Sequence, residues 1–277
     1  MFGKNNIFVA RVGLVLSILI GISGCNNKDE PGIQDAFDNM SLDSDTTTAN
    51  GKDSLIMDSA AQKLPSEAQY LDSLGLVNVQ ELDSSIQVRL RYSSTDNFLN
   101  TDLYGDLEQA YLQPDVADKL VKASAYLQDT LPNLRLLVWD AVRPVSVQKR
   151  MWEVCDVPLK RRHWYVTPPE KRSLHNYGAA VDVCLVDTSG NALDMGTDFD
   201  HFGEAAYTNR EKELVETMLV SKEAVKNRQV LYEVMLKAGF TGIKYEWWHF
   251  DACSRATAES KYELIMSLGD VKNDKEW

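Results

Sequence analysis

Cysteine and histidine are scarce, four of each among 277 residues. The cysteines, Cys25, Cys155, Cys184 and Cys253, include no Cys-x-x-Cys pair, which argues against a thiolate-built structural zinc site. No His-Glu-x-x-His occurs either, so the helical zinc-protease motif is absent. Positive charge is in short supply: 29 Lys and Arg against 41 Asp and Glu leave a net charge of −12, which disfavours nucleic acid as a partner. The apolar run Val12 to Ile20 falls short of the roughly 20 residues a bilayer-spanning helix needs. There is no internal repeat and no regular βαβ alternation.

The first residues carry their own message. Lys4 and Arg11 precede or flank the short apolar stretch, and small residues lead up to Cys25, which reads as a secretory signal. Ile22-Ser-Gly-Cys25 resembles the lipobox of bacterial lipoproteins. That resemblance implies removal of residues 1–24, a lipid on Cys25, and an exported protein held at the periplasmic side of the inner or outer membrane. An ordinary signal peptide with a chance cysteine is the plainer alternative. Removing residues 1–24 takes away Lys4 and Arg11 and no acid, moving the net charge from −12 to −14.

Residues 25–66 are rich in Asp, Ser, Thr and Asn, too polar to bury a core, and read as a solvated tether. Within it, Lys28-Asp-Glu30 is similar to the surface-export signal of Bacteroidetes lipoproteins, although an acidic linker looks much the same. Residues 67–277 suit one domain with one core. Three cysteines remain there, so at most one disulfide can form; buried free thiols are the alternative.

Along this domain, Val77–Leu82 and Ile86–Tyr92 alternate apolar with polar, as half-buried strands do. Pro114–Leu127 repeats apolar residues at helical spacing behind a first-turn proline. Leu134–Trp139 is a nearly continuous apolar run, expected as a central strand ending at Asp140. Val145–Val154 reads as a helix, Ala179–Val186 as a strand, residues 211–238 as the longest helical pattern, and Ile243–Phe250 as an aromatic-rich strand. This order predicts an α+β fold with a mainly antiparallel central sheet flanked by helices.

Of the four histidines, two have acidic company at telling spacing. His175 lies in Ser173-Leu-His-Asn-Tyr-Gly-Ala-Ala-Val-Asp182, where Gly178 can supply a bend that folds the histidine back towards Asp182. His249 closes Glu246-Trp-Trp-His249. Residues three apart on a regular strand face opposite ways, so Glu246 and His249 reach one centre only if the backbone bends or bulges between them. With that bend, two histidines and Asp182 give a zinc site with an open fourth position, and Glu246 falls where a general base belongs. The plainer readings are a loop histidine capping backbone and a turn-facing acid. His163, in the basic run Lys160-Arg-Arg-His-Trp164, and His201 have no metal-ligand spacing and are expected to be bystanders; Trp247, Trp248 and Phe250 read as core.

Together, Ser-x-His-x-x-Gly-x-Ala-x-Asp182, Glu-Trp-Trp-His249 and Trp139-Asp-Ala-Val-Arg-Pro144 resemble the D-alanyl-D-alanine dipeptidases of the vancomycin-resistance type. Leu90-Arg-Tyr-Ser-Ser-Thr-Asp-Asn-Phe98, Leu103-Tyr-Gly105 and Leu193-Asp-Met-Gly-Thr-Asp-Phe-Asp200 extend the resemblance over roughly residues 77–250. It implies one zinc ion per chain, held by His175, Asp182 and His249, with Glu246 as base and Arg143 facing the tetrahedral intermediate. It also implies Tyr92, Asp140, Ser173 and Asp200 in or beside a pocket for a small D,D-dipeptide. Arg143 otherwise reads as a salt-bridge partner of Asp140. The chain departs from many relatives at Val142, where they carry an aromatic residue. The rival readings are a D,D-carboxypeptidase acting on peptidoglycan stem peptides and a zinc-stabilised binding module without catalysis.

Overall fold

Strand Leu134–Asp140 and strand Ala180–Asp187 pair antiparallel at the heart of a five-stranded sheet, and nearly every residue in both is buried. Burial on both faces explains why each reads as an apolar run rather than an alternating one. The computed structural model describes residues 66–269. The expected signal segment, the lipidated Cys25, the Lys28-Asp-Glu30 run and nearly all of the tether lie outside those residues.

In chain order the elements are α1 (Glu67–Ser73), β1 (Val77–Asn78), α2 (Val79–Leu82), β2 (Gln87–Val88), β3 (Tyr111–Leu112), α3 (Pro114–Thr130) and β4 (Leu134–Asp140). There follow α4 (Val145–Val154), α5 (Leu159–Arg162), β5 (Ala180–Asp187), α6 (Glu211–Glu216), α7 (Lys222–Lys237), β6 (Thr241–Gly242), β7 (His249–Asp251) and α8 (Arg255–Lys261). The large sheet runs β2-β4-β5-β7-β6; only the β2–β4 pair is parallel. Strands β1 and β3 form a separate antiparallel pair. The architecture is α+β with a mainly antiparallel central sheet, as the order of patterns predicts.

Helix α3 packs against β4 and α7. It buries Val116, Ala117, Leu120, Ala123 and Leu127 on one stripe. Full burial of each Leu or Val is worth about 1.5–3 kcal/mol, so this stripe alone is a substantial part of the core. Trp247, Trp248 and Phe250 are buried as expected, and Cys155, Cys184 and Cys253 are all free thiols. No helix among the described residues is long and apolar enough to cross a membrane.

Four expected elements differ, each for a local reason. Val77–Leu82 is a two-residue strand followed by a helical turn, because Asn78 accepts a hydrogen bond from the N–H of Gln80 and caps α2. Ile86–Tyr92 shrinks to Gln87–Val88: Tyr92 lies in a 3-10 turn whose carbonyl accepts from the N–H groups of Leu103 and Tyr104 rather than from a strand. The 211–238 pattern is two helices, since Ser221 caps a new start by accepting from Ala224 N–H, behind a left-handed Met218. Ile243–Phe250 enters the sheet only at His249, because the carbonyls of Ile243 and Lys244 are taken by the hydroxyl and N–H of Thr208.

Candidate metal centre

Three acidic or imidazole side chains share one rung of the sheet. Asp140 on β4, Asp182 on β5 and His249 on β7 are cross-strand partners in turn, and directly opposed residues on neighbouring strands project from the same face. A register shift between Val138 and Asp140 marks the end of regular β4 pairing at this rung. Local irregularities of this kind are common beside active sites, where they re-aim side chains.

His175 arrives from outside the sheet, on the 3-10 turn Leu174–Tyr177. Ser173 caps that turn and Asn176 answers in a reciprocal capping box. Gly178 ends it at φ +64, where a Cβ would also stand 3.3 Å from the backbone nitrogen of Gln113, so glycine meets both demands. Arg143 N–H donates to the His175 carbonyl at 3.0 Å, and the Asn176 amide donates to the Arg143 carbonyl at 2.7 Å. The turn bearing His175 and the segment bearing Arg143 are thereby stitched together.

The result is a cluster in which one ligand atom from each of His175, Asp182 and His249 lies within 4.8 Å of the others. His175 Nδ1 is 2.6 Å from the Ala141 carbonyl, which can only accept, so Nδ1 carries the proton and Nε2 keeps its lone pair. His249 Nε2 is 2.8 Å from Asp251 Oδ1, an outer acceptor that lets Nδ1 face the cluster. Across the cluster, His249 Nδ1 is 2.9 Å from Asp182 Oδ1 and 3.2 Å from His175 Nε2. Lone pairs converge with a positive charge wanted among them. Burial opposes charge on His249, yet Asp182 and Asp251 outweigh it and push the imidazole well above its ordinary value. Burial would likewise raise the Asp182 carboxyl, but His175 and His249 hold it far below its ordinary range. Two imidazoles, each oriented by an outer partner, and one carboxylate fit a zinc ion with an open position.

Around this cluster a cavity of about 340 Å³ is lined by Tyr92, Arg143, Ser173, Asp200 and Glu246 among others. Arg143 donates through Nε to Asp140 at 2.8 Å and through Nη1 to Gln148 at 3.2 Å, while Nη2 also contacts Asp140 and lies 3.6 Å from Asp182. Burial disfavours the guanidinium charge; Asp140 outweighs it and keeps Arg143 firmly charged. Glu246 sits in the irregular segment before β7, next to the buried Trp247 and Trp248, and lines the cavity. Burial raises its carboxyl above the ordinary value, His249 working against the rise and Asp182 with it. Tyr92 donates to Asp200 Oδ2 at 2.8 Å, and Asp200 is held with φ +56. Burial pushes the Asp200 carboxyl well above its ordinary range despite that hydrogen bond.

Of the residues the resemblance implies in or beside the pocket, Asp140 is the one that lies beside it. Asp140 has no exposed surface and does not line the cavity; its carboxylate accepts from Tyr104, Arg143 and Ala141 N–H. Its Oδ2 braces Arg143 and lies 3.8 Å from His175 Nδ1, so the salt bridge and the cavity-facing role of Arg143 coexist. Val142 is buried in the core and forms no part of the cavity wall, so the departure there does not touch the site. His163 and His201 lie outside the ligand cluster, but both line an adjoining cleft.

Sequence reasoning passed over three supports. Asp251 was legible as the i, i+2 partner of His249, on the same side of a strand. Gln148 follows Arg143 on α4 without any local signature. Arg228 is buried on α7, donating to the carbonyls of Met195, Tyr207 and Ala205 and lying 5.6 Å from the Trp247 ring. Trp247 Nε1 in turn donates to Thr197 at 2.7 Å.

An open two-histidine, one-carboxylate cluster faced by a carboxylate and a guanidinium defines the class, a zinc-dependent peptidase. The chain belongs to the M15 peptidase family of D-Ala-D-Ala dipeptidases, whose model matches residues 72–267. The D-alanyl-D-alanine dipeptidase of Escherichia coli (strain K12) is 32% identical over 201 residues, covering 72% of this chain and 96% of the relative. A D-alanyl-D-alanine dipeptidase of Synechocystis sp. is 27% identical, over 50% of this chain and 68% of its own. Among solved structures, the vancomycin-resistance D,D-pentapeptidase VanY in complex with Zn(II) aligns with TM-score 0.33 and 13% identity, over 57% of this chain and 82% of that one.

Proposed function

We propose that this chain hydrolyses D-alanyl-D-alanine to two molecules of D-alanine, using one zinc ion held by His175 Nε2, Asp182 and His249 Nδ1. The observation that carries this reading is the convergence of those three atoms within 4.8 Å, with the remaining nitrogen of each histidine already committed to an outer acceptor. Bound there, zinc would acidify water and polarise the scissile carbonyl. Glu246 takes the proton from the attacking water and passes it to the leaving amine, a transfer its raised carboxyl suits. Arg143, braced by Asp140 and Gln148, presents its remaining donors to the oxyanion that develops at the carbonyl; one such donor is typically worth about 3 kcal/mol. Tyr92, Ser173 and Asp200 line the cavity in which the substrate would lie.

A zinc-stabilised binding module has no use for Glu246 and Arg143 in the same cavity, and the presence of both favours catalysis. The chain is also proposed to be an exported lipoprotein, anchored through Cys25 on the periplasmic side of the inner or outer membrane and spaced from it by residues 25–66; the lipobox-like Ile22-Ser-Gly-Cys25 supports this. The decisive experiment incubates purified protein with D-Ala-D-Ala, with and without chelator, and follows release of D-alanine. Chelator-sensitive release, restored by zinc, is the expected result. Absence of release from zinc-loaded protein would overturn the dipeptidase reading.

A further inference from the structure

Arg143 is gripped along one edge by a single oxygen. Its Nε donates to Asp140 Oδ2 at 2.8 Å and its Nη2 contacts the same atom, while Asp140 Oδ1 is taken by the Tyr104 hydroxyl and the Ala141 N–H. Two donors on two oxygens fix a guanidinium as a fork does; two donors on one oxygen leave it able to pivot about that atom. The Tyr92 ring, 5.3 Å from Cζ, covers the group without giving it direction. A third directed contact is what decides where the remaining N–H groups point.

Gln148, early in α4, makes that contact: its Oε1 accepts from Arg143 Nη1 at 3.2 Å. Gln148 has no exposed surface and does not line the cavity, so it reaches a substrate only through its neighbours. A side-chain amide can offer either end to a partner, and here the far end settles which. Gln148 Nε2 lies 2.8 Å from the Thr167 carbonyl, which can only accept, so the nitrogen faces Thr167 and the oxygen faces Arg143. The Thr167 carbonyl is held in its turn. Thr167 stands before Pro168 and Pro169, and a residue preceding proline is biased to extended backbone. Arg162 ties the start of the same stretch to α4, donating to the carbonyls of Val157 at 2.9 Å and Trp152 at 2.7 Å. Val166 and Thr167 also line the cavity, so the segment that orients the Gln148 amide is part of the pocket wall.

We infer that Gln148 is a positioning residue for the hydrolysis: it fixes the plane in which Arg143 offers its remaining donors to the oxyanion, and it ties that plane to the cavity wall at Thr167. The inference rests on the dipeptidase reading and adds to it the residue that aims Arg143. The oxyanion exists only after water has attacked, so a guanidinium turned out of line costs turnover and leaves binding of the intact dipeptide nearly unchanged. Gln148 itself takes no proton and touches no reacting atom.

The test is Gln148→Met, which keeps length and bulk but has no amide, with Gln148→Asn, one methylene short of spanning Arg143 and Thr167, read in its place where the methionine protein does not fold. In folded, zinc-replete protein, kcat on D-Ala-D-Ala should fall about tenfold with KM within about twofold of the wild type. A phosphinate mimic of the tetrahedral intermediate, followed by calorimetry, should bind about tenfold more weakly. Made in Arg143→Ala protein, the same substitution should change phosphinate affinity by less than about twofold, because the group it aims is gone. Wild-type kcat in the folded variant would overturn this role and leave the dipeptidase reading standing. So would a raised KM at unchanged kcat, or a loss of phosphinate affinity that persists in full beside Arg143→Ala. Absence of turnover in the zinc-loaded wild type would overturn both.

Discussion

His249 is held between two carboxylates, with Nδ1 2.9 Å from Asp182 Oδ1 and Nε2 donating to Asp251 Oδ1 at 2.8 Å. The outer bond gives Nε2 an acceptor of its own, so that Nδ1 can turn to a cation. Asp251 touches no other part of the ligand cluster, so its removal isolates this orienting effect. Asp251→Ala should weaken zinc affinity by about 10–100-fold while the fold survives. Chelator competition measures it, and an unchanged affinity would show that His249 needs no outer partner.

Binding and proton transfer fall on different residues. His175→Ala should lose both zinc and activity. Glu246→Ala should keep zinc, as elemental analysis would show, and lose about 10²–10⁴-fold in turnover, the usual worth of general acid–base catalysis. Loss of zinc from Glu246→Ala would make Glu246 a ligand and move the base to Asp200, a half-buried acid lining the same cavity.

The acid limb of the rate profile follows from where Glu246 sits. Burial raises its carboxyl, with Asp182 reinforcing and His249 opposing. A base works only when deprotonated, so a raised value moves the loss of activity to higher pH as acid is added. The acid limb of kcat/KM should therefore lie above the ~4.3 of an unperturbed glutamate. An inflection at or below that value would show that Glu246 is not the group titrating.

How much of this was legible in the sequence depends on how local the cause is. The buried strands β4 and β5 and the helix α3 announce themselves through side-chain pattern alone. The convergence of His175, Asp182 and His249 was legible because His175 and Asp182 flank a glycine bend, and because Glu246 and His249 required the irregular backbone that Thr208 in fact stabilises. What was not legible depends on partners distant in sequence. Asp140 looks like a pocket acid until Tyr104 and Arg143 close over it, and Tyr92 looks like a strand residue until the 103–104 loop claims its carbonyl. The cleft that His163 and His201 line joins residues near 164, 202 and 245 that no spacing connects.

The proposed anchor rests on Cys25 alone. Cys25→Ser should release the protein from the membrane fraction and leave turnover of D-Ala-D-Ala unchanged, since the catalytic residues all lie beyond the tether. Fractionation followed by immunoblotting reads the first effect and an activity assay the second. Retention in membranes would remove the lipoprotein proposal without touching the chemistry.

Arg228, on helix α7, braces the backbone on either side of Asp200 and lies against Trp247, the neighbour of Glu246. Its guanidinium holds the carbonyls of Met195 and Ala205 at 2.7 and 2.8 Å, on either side of Asp200, and its plane lies near Trp247, next to Glu246. Gly196 makes the close approach possible: at φ +83, a Cβ there would stand 2.6 Å from Val220 and 3.2 Å from Arg228. Arg228→Met keeps the bulk but leaves buried carbonyls without donors, each costing about 1–3 kcal/mol, so the melting temperature should fall by several degrees. If Arg228 also positions Asp200 and Glu246, turnover measured well below that temperature should drop about tenfold in protein that is folded and fully loaded with zinc. Thr197→Val, which removes the hydrogen-bond partner of Trp247 from the same brace, should move turnover in the same direction with a smaller loss of stability. Wild-type kcat in a folded, zinc-replete Arg228→Met protein would confine Arg228 to stability and leave the placement of the two acids to the sheet.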